Sequence, residues 1–380
     1  MRWLIVMYLI ASTVTTLEGF EGSLKNLKYV PALGIAIIAI IVRKDVFVLP
    51  KDNVLNTIFL FLIASGLISV AFNPGGDTLL YYIFMPINLI IFGYMRRYGI
   101  TRQQLLVILI FFAICSFFPR YYKATSSHTG LFNNPNGLAP ILALMFYLVI
   151  ILKRIPILYK VAAGLILFWF VLLTESRAGL IGYLIFVLAY LFQTWVRFNF
   201  KFLSYVVLLI GIGVYGWMLE TKTLTLIETA NNVTQSEKQS GFSERDMLYD
   251  IFSRKIMTTP EGIGFGRSGE YTKQVTGENG YSPHNMYLKA AVEGGWLFMA
   301  MFWVLFTYLY FTSKSIAANS FAFAYYIRCL FESATPFTMS IVSVLLFLPF
   351  FLNEHNIRYA RAAFVRLDKP PHQQVGAGTA

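Results

Sequence analysis

Three side chains stand out by type and setting. His284 follows Ser282 and Pro283, a capping residue and a first-position proline. That pattern puts its imidazole on the first turn of the apolar helix that follows. The helix dipole there disfavours a second proton, and a neutral imidazole is what a general base requires. A structural histidine fits the same position. Arg177 lies in a short polar break, Thr174-Glu175-Ser176-Arg177-Ala178-Gly179. Arg245 lies on the first turn of a segment opening with Ser243 and Asp246 at capping-box spacing, with Asp in place of Glu. Leu248, Ile251, Phe252 and Ile256 then recur at helical spacing, the pattern of an amphipathic helix. Guanidinium forks bind phosphate oxygens bidentately and stay charged. Arginines at such positions equally serve as snorkelling or boundary residues. Gly262, Gly264 and Gly266 form a run that reads as a tight turn or as a phosphate cradle. It lacks the spacing and the Lys-Ser/Thr of a nucleotide loop. Glu293 is expected to pair with Lys289 at i,i+4.

The elements that must hold these groups are membrane helices. The chain has 380 residues, 57% of them hydrophobic and only 13% charged. A soluble domain carries about 25% charged residues, so a soluble globular protein is excluded, and the two cysteines exclude a disulfide-built secreted module. Runs such as Val54 to Phe72 are apolar on every face, which excludes the alternating strands of a membrane barrel. The expected fold is an all-α integral membrane protein of about twelve transmembrane helices. The spans fall near residues 3–17, 28–42, 54–72, 78–94, 104–118, 137–152, 158–173, 178–193, 202–218, 286–312, 317–330 and 337–353. The first, second and eleventh are short or weak. The first is read as an uncleaved span rather than a signal peptide, because no small-x-small site precedes Glu18.

With the N-terminus inside, Arg43, Lys44, Lys51, Arg96, Arg97, Arg102, Lys153, Arg154, Lys160, Arg197, Lys201 and Lys314 fall on inner loops. The net charge of +12 is therefore mostly a topology signal rather than a nucleic-acid footprint. The organisation that follows is transmembrane helices 1 to 9 over 1–218, an extracytoplasmic catalytic loop over 219–285, helices 10 to 12 over 286–353, and a basic cytoplasmic tail over 354–380. Both termini are then cytoplasmic, and His284, Arg177 and Arg245 share the outer face.

Three stretches together resemble the O-antigen ligase and polymerase superfamily of membrane glycosyltransferases. They are the Ser-Arg-Ala-Gly corner at Arg177, the helix from Ser243 through Arg254 that leads to Pro260–Gly266, and His284 to Leu288 followed by Glu293 and Gly294. Asn133 to Gly137 is similar as well. The likeness covers roughly residues 130 to 300, and elsewhere only the hydropathy matches.

The resemblance implies a metal-independent, inverting transfer with no cofactor. The donor would be a glycan on a polyprenyl diphosphate, typically undecaprenyl diphosphate, at the inner (plasma) membrane of a bacterium. The family's two functional arginines would map to Arg177 and Arg245, and its histidine to His284. Arg254, Lys255, Arg267, Asn136, Asn285 and Tyr287 would contribute to substrate binding. Such chemistry is coherent on its own terms: cations stabilise a departing diphosphate, and a base takes the acceptor hydroxyl proton.

Two acceptors fit. A ligase passes glycan to a glycolipid, while a polymerase passes it to a second lipid-linked repeat unit. The histidine leans toward the ligase. A flippase or transporter would place ionisable groups near the bilayer midplane. Only Arg328 and Glu332 approach that description, and they are expected to form an ion pair at i,i+4. A metal site is not expected, because His284 has no His or Cys at ligand spacing, although His128 could approach it in space. Cys115 and Cys329 are read as packing residues.

Overall fold

A computed structural model describes residues 2–14, 16–18, 29–38, 52–121, 127–195, 243–276, 283–332 and 341–358. The helices are α1 (Arg2–Val14), α2 (Tyr29–Ile37), α3 (Asn53–Phe72), α4 (Gly76–Tyr98), α5 (Arg102–Phe117), α6 (Pro135–Ile151), α7 (Ile157–Leu173), α8 (Arg177–Trp195), α9 (Ser243–Thr258), α10 (Ser268–Thr276), α11 (Met286–Thr312), α12 (Ile316–Arg328), α13 (Ile341–Val344) and α14 (Leu348–Phe351). Two short strands, β1 (Ile100–Thr101) and β2 (Ile357–Arg358), pair in parallel. The predicted ninth span at 202–218, the loop up to residue 242 and the basic tail from residue 359 lie outside the described residues.

Local chemistry sets the helix starts. Asp52 accepts the N–H of Leu55 ahead of α3, Asn134 accepts that of Gly137 ahead of α6, and Ser315 accepts that of Ala318 ahead of α12. Thr101 and Gln104 form a reciprocal capping box at α5. Among the described helices, α3, Thr78–Tyr98 of α4, α8 and α11 are long and apolar enough to cross a membrane; α1, α5, α6 and α7 are apolar but shorter.

The outward faces are apolar too. Ile157, Leu158, Leu165 and Trp169 on α7 and Trp195 on α8 are all more than half exposed. Water would not tolerate so much apolar surface, but lipid does. The described part is mostly helical, with four helices long and apolar enough to cross a membrane, consistent with an all-α membrane protein.

Two predicted spans differ in form. Residues 286–312 do not make one straight helix. Gly295 has φ +83°, outside the helical range, and the ring of Tyr287 stacks on that of Trp303 with centroids 4.8 Å apart. In a straight helix those two positions would be separated by about 24 Å along the axis. The piece before Gly295 therefore folds back beside the piece after it. Where the last span was expected, the described residues form α13 and α14 with a turn between them. Pro349 sits in the first turn of α14, where its missing N–H and fixed ring prevent a helix from running through.

Packing then fixes the frame. Helix α8 runs antiparallel to α12: Gly182 faces the stem of Arg328, and Phe186 meets Phe321 edge to face at 5.3 Å. Helix α3 runs antiparallel to α11, with the Tyr308 hydroxyl donating to Asp52 at one end (2.6 Å) and that of Ser69 to the Glu293 carbonyl, just before the break, at the other (2.6 Å). Helix α1 is packed into the core through Ile5, Tyr8 and Leu9, and the Tyr8 hydroxyl donates to Asn88 on α4.

Candidate functional site

The corner at Arg177 is built by its neighbours. Ser176 accepts the N–H of Gly179 at 3.1 Å, which makes it the cap of α8. Its hydroxyl donates to Asn136 Oδ1 at 2.6 Å. A Cβ on Gly179 would stand 2.3 Å from that of Ala139, so only glycine lets α8 approach α6 this closely. Glu175, at φ +52°, turns the chain into this cap and accepts the Ser127 hydroxyl. Arg177 is left on the first turn of α8, exposed. Among the described residues it makes no ion pair or hydrogen bond.

From this corner a chain of bonds leads to His284. Arg328, at the end of α12, donates from Nη2 to the Asn136 carbonyl at 2.9 Å. The next carbonyl, of Cys329, accepts the N–H of Met286 at 2.9 Å. Tyr249 of α9 places its hydroxyl between the carbonyls of His284 and Leu330, at 3.4 and 3.3 Å. Arg245 lies four positions before Tyr249 on α9, about one helical turn along the chain. The Arg245 side chain lies outside the described part, as do the side chains of the expected capping box at Ser243 and Asp246. Asn136, the Arg177 corner, α9 and the approach to His284 thus meet around the end of α12.

His284 itself sits differently from expectation. Helix α11 begins at Met286, and Asn285 is the cap, accepting the N–H groups of Tyr287 (2.9 Å) and Leu288 (3.0 Å). His284 therefore precedes the cap instead of occupying the first turn. The amide oxygen of Asn285 reaches two orphan donors at once, which moves the start three residues beyond Pro283. The imidazole still neighbours the helix N-terminus, half-buried.

Other expected residues are committed elsewhere. Tyr287 is buried, donates to the Tyr326 carbonyl at 2.8 Å and stacks on Trp303. The Lys255 ammonium lies over the Tyr271 ring at 5.2 Å, and Arg254 is exposed on the same helix. Arg267 stands at the other side of the glycine run, against Gly75, 3.9 Å from Glu270. His128 does not approach His284 by any bond. It is buried, its Nε2 pairs with the Ser116 carbonyl at 2.8 Å, and its ring meets Phe170 edge to face.

The glycine run is a wedge rather than a cradle. Gly262, Gly264 and Gly266 all have positive φ. The N–H groups of Gly262, Ile263 and Gly264 are taken by the carbonyls of Thr259, Val292 and Glu293. The Trp296 N–H in turn reaches the Pro260 carbonyl at 2.9 Å. Each half supplies what the other lacks: the break in α11 strands backbone groups, and the loop pairs them. Glu293 is fully buried beside this joint. It accepts the Ser268 hydroxyl at 2.7 Å, with the expected Lys289 ammonium at 3.9 Å.

Sequence reasoning missed two members of this arrangement. Arg328 does not pair with Glu332; its partners are Asn136 and the Tyr325 ring, 5.4 Å away. The signal available was a lone arginine closing an apolar helix. Ser176 carried the cap signal, but nothing in the chain announces its bond to Asn136, forty positions earlier.

Residues 162–303 match the family model described as O-antigen ligase. Over this segment the chain is similar to the O-antigen ligase family. No curated protein matches the chain. The O-antigen ligase segment contains Arg177, Arg245, His284, the glycine run and the break at Gly295, whereas Asn136 and Arg328 fall outside it.

Proposed function

We propose that this chain is a bacterial inner-membrane glycosyltransferase of the ligase type. It transfers a glycan from a polyprenyl diphosphate, typically undecaprenyl diphosphate, to a hydroxyl of a glycolipid acceptor on the outer face. The observation that carries the reading is the convergence of the Arg177 corner, α9 and the approach to His284 around the end of α12, with all three functional residues inside the O-antigen ligase segment.

In the proposed reaction Arg177 and Arg245 clamp the diphosphate. As the bond from the sugar C1 to the phosphate oxygen breaks, negative charge grows on the leaving group, and the fixed guanidinium forks stabilise it there. The acceptor oxygen attacks C1 from the opposite face and gives its proton to His284, so configuration inverts. The products are the glycosylated acceptor, polyprenyl diphosphate and a protonated imidazole, which returns its proton to solvent. No metal takes part, since the two arginines supply the charge that a metal would. The lipid tail lies along the apolar outer surface of the bundle.

The acceptor distinguishes this reading from a polymerase. A strain lacking the gene is expected to accumulate full-length glycan on its carrier lipid. Single-repeat glycan on the final acceptor would assign a polymerase instead. Transfer by purified protein should persist with a chelator present, and its loss on chelation would overturn metal independence.

A further inference from the structure

Among the described residues, Arg328 is a buried cation with no carboxylate partner. Only 4% of it is exposed. One nitrogen, Nη2, donates to the Asn136 carbonyl at 2.9 Å, and the guanidinium carbon lies 5.4 Å from the Tyr325 ring. Its Nε–H is buried and has no hydrogen-bond partner among the described residues. Neutral partners and the C-terminal end of α12 offset part of the burial. A full charge with an orphan donor remains costly in that setting. A tie to one carbonyl would need only a neutral amide.

The setting points to an anion. Arg328 lines a small cavity between α6, α8 and α12, together with Pro140, Gly179, Gly182, Tyr183 and Tyr325. The stem of Arg328 packs against Gly182, where an added Cβ would stand 3.4 Å away, in ordinary contact. Through Asn136 the guanidinium is one bond from Ser176, the cap residue next to Arg177. Through the Cys329 carbonyl its helix end holds the start of α11, two residues after His284.

We propose that Arg328 is a further substrate-binding residue, a third cationic ligand for the donor's diphosphate that acts from the cavity while Arg177 acts from the exposed corner. This rests on the glycosyl-transfer reading above. The geometry assigns the residue a direct charge contact with the phosphoryl oxygens, in addition to its bond to Asn136.

The test uses the full-length protein in nanodiscs of neutral phosphatidylcholine. Binding of polyprenyl diphosphate, polyprenyl monophosphate and phosphatidylglycerol is measured for wild type, Arg328→Gln and Arg328→Lys, beside steady-state transfer and thermal melting. Loss of one charge-assisted contact should weaken diphosphate binding and raise the donor KM by about tenfold or more in Arg328→Gln. The acceptor KM should stay unchanged, and Arg328→Lys should recover part of the loss. Wild-type binding and donor KM in Arg328→Gln would overturn the proposal. So would equal binding of phosphatidylglycerol and diphosphate by wild type, or an effect on both KM values that merely follows a fallen melting temperature. If Arg328→Gln does not fold, the decision passes to Arg328→Lys, whose donor KM must rise while its melting temperature holds. A wild type that transfers glycan beside an unaffected Arg328→Gln sinks this proposal alone. A wild type that neither binds diphosphate nor transfers glycan sinks the parent reading as well.

Discussion

Ser176 shows how much one small side chain decides. It caps α8 and holds Asn136 at once, so it sets both the start of the helix and the place of Arg177. Ser176→Ala should destabilise the protein by about 1 kcal/mol, the usual worth of a cap. It should also lower transfer more than that loss implies, since Arg177 is no longer pinned. A thermal melt beside a rate measurement checks the two effects separately. His284 carries a pH expectation: as the base it must be neutral, so transfer should fall as the solution is made acidic. His284→Ala should keep a small residual rate without that acid limb. A variant whose pH profile matched wild type would remove His284 from the proton transfer. The residue types were legible in the sequence, because arginine and histidine in a chain this apolar are conspicuous. Their partners were not. Asn136 and Arg328 are joined across the bundle, and neither spacing nor periodicity encodes such a bond.

Helices were legible wherever an apolar run ended in a cap, and α3 through α8 begin and end close to the predicted limits. Periodicity misjudged α11, because Lys289 and Glu293 at i,i+4 fit an unbroken helix and Gly294-Gly295 reads as tolerable inside one. The decisive partner is Pro260 to Gly266, whose backbone fills the break. A Cβ on Gly295 would lie 2.6 Å from the Pro260 oxygen at a φ of +83°. Gly295→Ala is therefore expected to disrupt the joint, lowering the melting temperature and the yield of folded protein in detergent. Gly262→Ala, at φ +87° and 2.6 Å from the Glu293 carbonyl, should do the same. Melting curves like wild type for both variants would show that the wedge does not hold the break. The last predicted span also failed at a proline: Pro349 starts a new turn where the hydropathy suggested continuity.

At the scale of the molecule, low charge and high hydropathy were enough to read a helical membrane protein. The lipid-facing rows on α7 and α8 carry that reading into three dimensions. Proposed topology remains the one that the basic loops imply, with both termini in the cytoplasm and the site on the extracytoplasmic face. Cysteines introduced at residue 377 and near residue 230 should be labelled from opposite sides of intact cells, the first only after permeabilisation. Labelling of both from one side would reverse the parity on which the outer site depends.

In the proposed reaction Arg177, Arg245 and His284 act together on a lipid-linked glycan. This joint action is tested most directly by glycan transfer from a defined polyprenyl-diphosphate donor to a glycolipid acceptor, using purified wild type and the three single alanine variants at matched folded concentration. The predicted result is transfer by wild type and a loss of about a hundredfold or more in each variant, the scale set by removing a general base or a charge that stabilises the transition state. Undiminished transfer by all three variants, each melting like wild type, would show that these residues do not carry the reaction.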